Sequence, residues 1–205
     1  MPAVNVLPPA FYARPAVLVA RSILGMRLVR WVEGERVGGI ITEAEAYQGE
    51  DDLACHARAG RTPRTEMLYA SPGTAYVYFT YGMHWMLNVV CDRLNYPAAV
   101  LIRAIQPIEG LEQIAARRPA VPEKQWCNGP AKLTRALGVE RPFNGCNLTY
   151  KGSGLWIEEG EPFADAQVRI TPRIGIEPTP EPWLSKPWRF VVVQPNRLRT
   201  DDPKG

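Results

Sequence analysis

The sequence predicts an α+β fold built on a mainly antiparallel, curved sheet of open-barrel form, flanked by helices and carrying a protruding β-hairpin. Three observations predict it. Alternating or β-rich runs recur at 26–32, 37–47, 74–81, 84–91, 98–105, 155–158, 168–176 and 188–193,. Two neighbouring pairs of these runs are separated by only two or four residues, which is hairpin spacing. Apolar residues at helical spacing are confined to 14–24, 108–118 and 129–137,, and they do not alternate with the strands as a parallel βαβ sheet requires.

Taken in order, the opening helix at 14–24 is expected to stop at Gly25 and to pack on the sheet,. The next two strands flank Glu33-Gly34-Glu35-Arg36, a four-residue polar turn,. A polar, irregular stretch covers 48–59, and a short helix is expected at 65–69 after Thr62-Pro63, closed by the Ser71-Pro72-Gly73 turn,. Gly82-Met83 then separates two β-rich runs, and glycine at the first central position suits a type II′ turn,. Its tip would expose Tyr81, Met83 and His84, which is apolar surface in search of a partner. The strand at 98–105 leads to the helices at 108–118 and 129–137, the second stopped by Gly138, and the proline-rich run 178–187 reads as a constrained loop,.

At 205 residues the chain is expected to form a single domain, 1–205, with interior enough to fold without disulfides. Cys55, Cys91, Cys127 and Cys146 include no CxxC pair, so they read as free structural thiols and neither a zinc site nor a secreted disulfide framework,. No apolar run approaches the roughly 18 residues of a membrane span. The best N-terminal apolar run, 16–20, is bracketed by Arg14 and Arg21 with no small-residue cleavage site after it, so the product is expected in the cytoplasm, at the nucleoid in a prokaryote,. A formal net charge of +3 does not announce a nucleic-acid partner, so any such attraction must be local,.

The chemistry is concentrated in 40–103. Alternation through Ile-Ile-Thr-Glu-Ala-Glu-Ala-Tyr at 40–47 places Ile41, Glu43, Glu45 and Tyr47 on one strand face,. One buried carboxylate of such a pair can serve as general base to a water while its neighbour or an arginine tunes it; the plainer alternative is two glutamates on a solvated face. Arg58, Arg61, Arg64 and Arg103 could neutralise phosphates, and Tyr47, Tyr76, Tyr78, Tyr81 and Trp85 could stack on bases, although sheets favour aromatics in any case. Asn88 lies among apolar neighbours, where its amide needs partners, either from a ligand or from the fold. His56 and His84 have no HExxH or clustered partners, so no metal site is expected,.

Several segments in order carry a resemblance: Thr-Glu-Ala-Glu-Ala-Tyr at 42–47, Cys-His-Ala-Arg at 55–58, Thr-Pro-Arg at 62–64, Pro-Gly-Thr-Ala-Tyr-Val-Tyr at 72–78 and Tyr-Gly-Met-His at 81–84. Leu-Ile-Arg-Ala at 101–104, Pro-Ile-Glu-Gly at 107–110 and Cys-Asn-Gly-Pro-Ala-Lys-Leu at 127–133 extend it. From residue 8 to 193 the chain resembles the alkyladenine DNA glycosylase family, also called the mammalian-type 3-methyladenine DNA glycosylases. The resemblance implies a water-activating Glu45 with Arg103 in the active site, a base pocket of Tyr47, His56, Tyr78 and Asn88, and an intercalating loop of Tyr81, Met83 and His84. Where this chain has His84 the mammalian pattern has an aromatic residue.

The resemblance further implies a monofunctional glycosylase that removes 3-methyladenine, 7-methylguanine, hypoxanthine or etheno-adenine from double-stranded DNA and leaves an abasic site. Arg58, Arg61 and Arg64 would then lie along the DNA backbone. The enzyme would need no cofactor and no metal and would act as a monomer, away from membranes. A non-catalytic nucleic-acid-binding module is the rival reading, favoured if Glu45 is exposed and bridged to a surface arginine. A metal-dependent hydrolase using His56, His84 and the cysteines is a third, tested by chelation. With Tyr78 and Asn88 in one pocket, the hairpin tip should hold three residues or a bulge and pair those two residues, because a two-residue turn sets Asn88 opposite Val77.

Overall fold

The computed structural model describes residues 5–193. Eight strands form one open antiparallel sheet: β1 (Arg27–Val32), β2 (Glu35–Gln48), β3 (Ala75–Thr80), β4 (His84–Val90), β5 (Ala98–Glu109), β6 (Leu155–Glu158), β7 (Val168–Thr171) and β8 (Arg189–Val192). Their order is β3-β4-β5-β2-β1-β6, and the sheet does not close into a barrel. The long β2 has β5 along one edge; its other edge is shared by β1, opposite 35–40, and β8, opposite 43–45, with β7 beyond β8.

The α+β architecture and antiparallel sheet expected from the sequence are borne out, and the element limits differ for identifiable reasons. The opening helix is two short pieces, α1 (Pro9–Tyr12) and α2 (Ala16–Ser22), because Pro15 disfavours helical backbone at Arg14. The β1–β2 turn is the pair Glu33-Gly34, with Val32 opposite Glu35. Both turn residues have positive φ, 50° and 91°, as a type I′ turn demands. β5 runs through Pro107 to Glu109, and α3 (Leu111–Arg117) starts only after Gly110, whose φ is 64°. α4 (Pro130–Leu137) ends at the expected Gly138, also at φ 64°. The strand expected at 168–176 stops before Pro172, which has no N–H for the ladder,. Residues 172–188 form an irregular strap that ends at β8.

Strict alternation gives the sheet two different faces. Ala75, Val77, Leu87, Val89, Ala98, Val100, Ile102, Ala44 and Ala46 turn to the main core, where α2 and α4 supply Val19, Ala20, Leu133 and Leu137. Each of the valine, leucine and isoleucine side chains among them contributes about 1.5–3 kcal/mol by leaving water, and each alanine less. The opposite positions, Tyr76, Tyr78, Asn88, Ala99, Leu101, Arg103, Glu45 and Tyr47, belong to the other face. There a smaller cluster of Cys55, Ala57, Leu68, Tyr69, Tyr76, Val90 and Ala99 packs, with Tyr47 and Tyr78 against it.

Ile41 does not share the face of Glu43, Glu45 and Tyr47 as period-two alternation predicts. The β2–β5 register is interrupted between Ile41 and Ala44, and Ile41 joins Ile102 and Ile105 in the main core. The interruption lies in both strands: Thr42 and Arg103 have no partner in the register, and there each strand passes from core-facing Ile41 or Ile105 to Glu43 or Arg103 on the other face.

The β3–β4 hairpin has a three-residue tip, Tyr81-Gly82-Met83, with Thr80 opposite His84. Tyr81 and Gly82 both take left-handed backbone, φ 52° and 67°. The two-residue turn is thereby excluded. Asn88 pairs with Tyr76 and Tyr78 pairs with Met86, so the expected Tyr78–Asn88 pair is off by one repeat, while both side chains do share a face. Thr134 of α4 donates its hydroxyl to the Trp85 carbonyl at 2.8 Å and ties the hairpin base to the helix.

Candidate active site

The second face of the sheet forms the floor of a cleft of about 570 Å³. Its walls come from 54–58, from the hairpin and from the strap at 174–180. Tyr47, His56, Arg58, Tyr78, Tyr81, Asn88 and Arg103 all line it. Tyr47 on β2 and Tyr78 on β3 are three strands apart in the sheet order, a lateral separation of roughly 14 Å, with Tyr78 displaced further along its strand. Two inward-leaning tyrosines across that distance leave room for a flat heterocycle.

One wall is aromatic and fixed. The His56 and Tyr78 rings meet edge to face with centroids 4.6 Å apart, and His56 Nδ1 shares a hydrogen bond of 3.0 Å with the Tyr76 hydroxyl. Burial, reinforced by Arg64 and Arg58, pushes the His56 pKa down to about 4. The ring is therefore neutral at physiological pH. Because the folded pKa lies below the usual 6.5, His56 contributes stability that is complete above pH 6.5 and is lost as pH falls toward 4,. We expect an NMR titration to show no His56 inflection between pH 5.5 and 8; a midpoint near 6.5 would contradict this environment. Asn88 is buried and donates from Nδ2 to the Tyr76 carbonyl at 3.0 Å, which orients its amide at the cleft wall.

Beneath the floor lies Glu45, fully buried. Its Oε2 accepts from the Tyr47 hydroxyl at 2.9 Å and from Arg103 Nη1 at 3.0 Å, and its Oε1 accepts from the Ile174 N–H at 2.9 Å. A carboxylate has about four acceptor positions, so one remains on Oε1. Arg103 Nε binds Glu43 Oε1 at 2.7 Å, and Arg189 Nε binds the same oxygen at 2.7 Å. Burial opposes the charge on Arg103, but the carboxylates of Glu45 and Glu43 prevail and raise its pKa. Burial and then the adjacent Glu45 hold the Tyr47 pKa well above its ordinary value. Tyr47 is thus a permanent hydroxyl donor.

Of the residues singled out by the sequence, Arg61, Arg64, Met83 and His84 sit outside the cleft, while Tyr81 and Arg58 stand at its wall. Met83 and His84 are exposed at the hairpin, where Tyr81 is 79% and Met83 67% accessible. Arg61 is engaged by Glu66 at 2.7 and 2.9 Å and by Asn95 at 3.2 Å. The Arg64 guanidinium lies 5.9 Å from the Tyr78 ring centre, and Arg58 donates to the Leu53 carbonyl at 2.7 Å. Among the described residues no cluster of three His, Cys, Asp or Glu could hold a metal, and no helix is long and apolar enough to cross a membrane. Cys55, Cys91 and Cys127 are buried, Cys146 is half-buried, and all four thiols are free.

Sequence reasoning found the strap only as the constrained loop at 178–187 and missed its first part, which it read as strand. Ile174 reaches Glu45 through its backbone, and a main-chain donor leaves no mark in side-chain identity. Pro172 before Arg173 and Gly175 after Ile174 were the available sign that the strand had ended and that a charged residue there needed a partner.

A buried carboxylate thus lies beneath an aromatic cleft, next to a hairpin tip that exposes Tyr81 and Met83. A family model described as Methylpurine-DNA glycosylase (MPG) matches residues 10–196. Relatives named "Putative 3-methyladenine DNA glycosylase" include one from Carboxydothermus hydrogenoformans, 43% identical over 91% of this chain and 94% of its own length. Others come from Methanocella arvoryzae, 45% identical over 90% and 91%, and Myxococcus xanthus, 42% identical over 98% and 97%. The chain belongs to the methylpurine-DNA glycosylase family, and it is a DNA N-glycosylase of the hydrolase class that serves DNA repair.

Proposed function

We propose that the protein is a monofunctional glycosylase of base excision repair that flips alkylated or deaminated purines from duplex DNA and hydrolyses the N-glycosidic bond. Its substrates are 3-methyladenine, 7-methylguanine, hypoxanthine and etheno-adenine. The observation that carries the reading is Glu45, a carboxylate enclosed beneath an aromatic cleft of about 570 Å³ with one acceptor position left on Oε1. That burial also disfavours a purely binding role, which would leave Glu45 without work in the interior.

A damaged purine is enclosed in the stack and must be extruded, at a cost of a few kcal/mol. Tyr81 fills the gap, with Met83 and His84 beside it, and the left-handed backbone at Tyr81 holds the ring outward,. Arg58, Arg61 and Arg64 follow the phosphates; Arg61 exchanges its exposed carboxylate partner for one of them. The extruded base enters between Tyr47 and the His56–Tyr78 wall, and an electron-poor or cationic purine stacks best there. Asn88 meets the edge where guanine carries an amino group that adenine and hypoxanthine lack, and so disfavours guanine; 7-methylguanine carries the same group, but its cationic ring stacks more strongly and offsets that penalty. As the bond from C1′ to nitrogen breaks, its electron pair leaves with the base. Glu45 takes a proton from water, the hydroxide adds to C1′, and the carboxylate offsets the oxocarbenium charge meanwhile. The enzyme works as a monomer in the cytoplasm, at the nucleoid of a prokaryote, with no cofactor in these steps.

Incubation with duplexes that each carry one of the four lesions, followed by alkali, tests this directly. Strand cleavage at the lesion is expected, and intact duplexes throughout would overturn it. Tyr81→Ala is expected to weaken lesion-duplex binding and flipping while leaving the melting temperature unchanged, because so exposed a ring buries little within its own chain. A variant that unfolds instead would place Tyr81 in the core.

A further inference from the structure

The strap at 172–188 crosses the end of β2 that carries Tyr47, held there by main-chain bonds to Ala46 and the Glu45 carboxylate and by a buried ion pair. Arg173 Nη1 and Nη2 bind Asp52 Oδ2 and Oδ1 at 2.6 and 2.9 Å, with both side chains wholly buried. The same two nitrogens donate to the carbonyls of Ala46, at 3.1 Å, and Trp183, at 3.2 Å. Asp52 is completed by the backbone N–H groups of Gln48, at 3.3 Å, and Ala54, at 3.1 Å. The guanidinium lies between two rings, 4.7 Å from the centre of Tyr47 and 5.0 Å from that of Trp188. Lys186 extends the stack, 4.4 Å from the Trp188 centre and 3.5 Å from Trp183.

Neither member of the pair lines the cleft. Yet Arg173 stacks on the tyrosine that donates to Glu45 Oε2, and the next residue, Ile174, gives its N–H to Glu45 Oε1. We propose that Asp52 and Arg173 are positioning residues for hydrolysis: their ion pair seats the strap on Tyr47 so that the Ile174 amide and the Tyr47 hydroxyl hold the Glu45 carboxylate at the angle of attack. This rests on the reading of Glu45 as the general base. Stability alone does not account for such a pair, because apolar side chains of the same volume commonly replace buried ions without loss. The strap supplies Trp188 alone to the main core, so directional polar contacts set its place. Lysine would keep the charge but lose the bidentate fork and the carbonyl contacts.

The experiment uses a duplex with a single etheno-adenine, whose fluorescence reports flipping, and compares the wild type with Glu45→Gln, Arg173→Lys and the double variant Asp52→Leu/Arg173→Met. Binding, flipping, single-turnover excision, melting temperature and amide exchange across 172–180 are measured. The double variant exchanges the ion pair for apolar volume, so a stabilising role and a positioning role part company in it. We expect both strap variants to bind and flip as the wild type does, to exchange faster across 172–180, and to excise about 10²-fold more slowly, as a displacement near 1 Å can cause. The double variant should do so at an undiminished melting temperature. Wild-type excision by the folded double variant would overturn the proposal, as would flipping lost together with excision, which would assign the pair to base binding. A wild type that leaves the lesion in place, or a Glu45→Gln variant as fast as wild type, would instead refute the reading of Glu45 on which the proposal stands.

Discussion

Glu45→Gln is expected to bind and flip a lesion as the wild type does and to lose excision by at least ~10²-fold, the lower end of what a positioned general base contributes. The amide keeps the shape of the carboxylate but accepts no proton and offsets no charge on the sugar. Three donors converge on this group, two on Oε2 and one on Oε1. The amide oxygen will therefore turn toward Tyr47 and Arg103, and its NH2 will oppose the Ile174 N–H, a mismatch costing roughly 1–3 kcal/mol. A small fall in melting temperature should accompany the kinetic loss. No lysine lines the cleft among the described residues, and with water as the proposed nucleophile borohydride should trap no protein–DNA adduct. A trapped adduct, or near-normal turnover by Glu45→Gln, would show this mechanism to be wrong.

Arg103→Met carries the second large effect, chiefly on the fold. Arg103 is the only cation bonded to Glu45 among the described residues, and it also bonds Glu43. Glu43 keeps Arg189 in the variant, whereas Glu45, with no exposed side-chain surface, keeps only neutral donors. Breaking a buried pair in this way costs roughly 3–5 kcal/mol, which lowers the melting temperature of a chain this size by about 10 °C. Arg103→Lys should recover part of the loss, since an ammonium meets one carboxylate well but cannot fork to two. Differential scanning calorimetry checks both, and an unchanged midpoint for Arg103→Met would mean that the pairs contribute nothing net.

What the sequence made legible follows from how far along the chain each physical cause acts. Glu45 and Tyr47 share a face because they are two residues apart in one strand, and simple alternation finds them. Ile41 escaped the same rule because the register break belongs to β2 and β5 together, and a pattern read along one strand cannot see its neighbour. The hairpin was visible from Gly82, but its length depended on a tyrosine taking left-handed backbone, which tyrosine does at a cost. That one residue moves Asn88 from Val77 to Tyr76. The clamp of Asp52 on Arg173 joins positions 121 residues apart, and neither residue's neighbourhood hints at the other.

The division of one β2 edge between two partners has a consequence for synthesis on the ribosome. β1 is made before β2 and can pair at once, but the stretch at 43–45 must wait for β8, and Arg189 follows Glu43 by 146 residues. At bacterial and eukaryotic elongation rates the wait is roughly 7–30 s. For that time the nascent chain offers an open strand edge, the kind of surface that recruits other unfinished chains. Two glutamates stand on that edge, and a pair of like charges repels a second copy of the same segment laid against it. Replacing both carboxylates with neutral residues should therefore lower the soluble yield on expression by more than the fall in melting temperature accounts for.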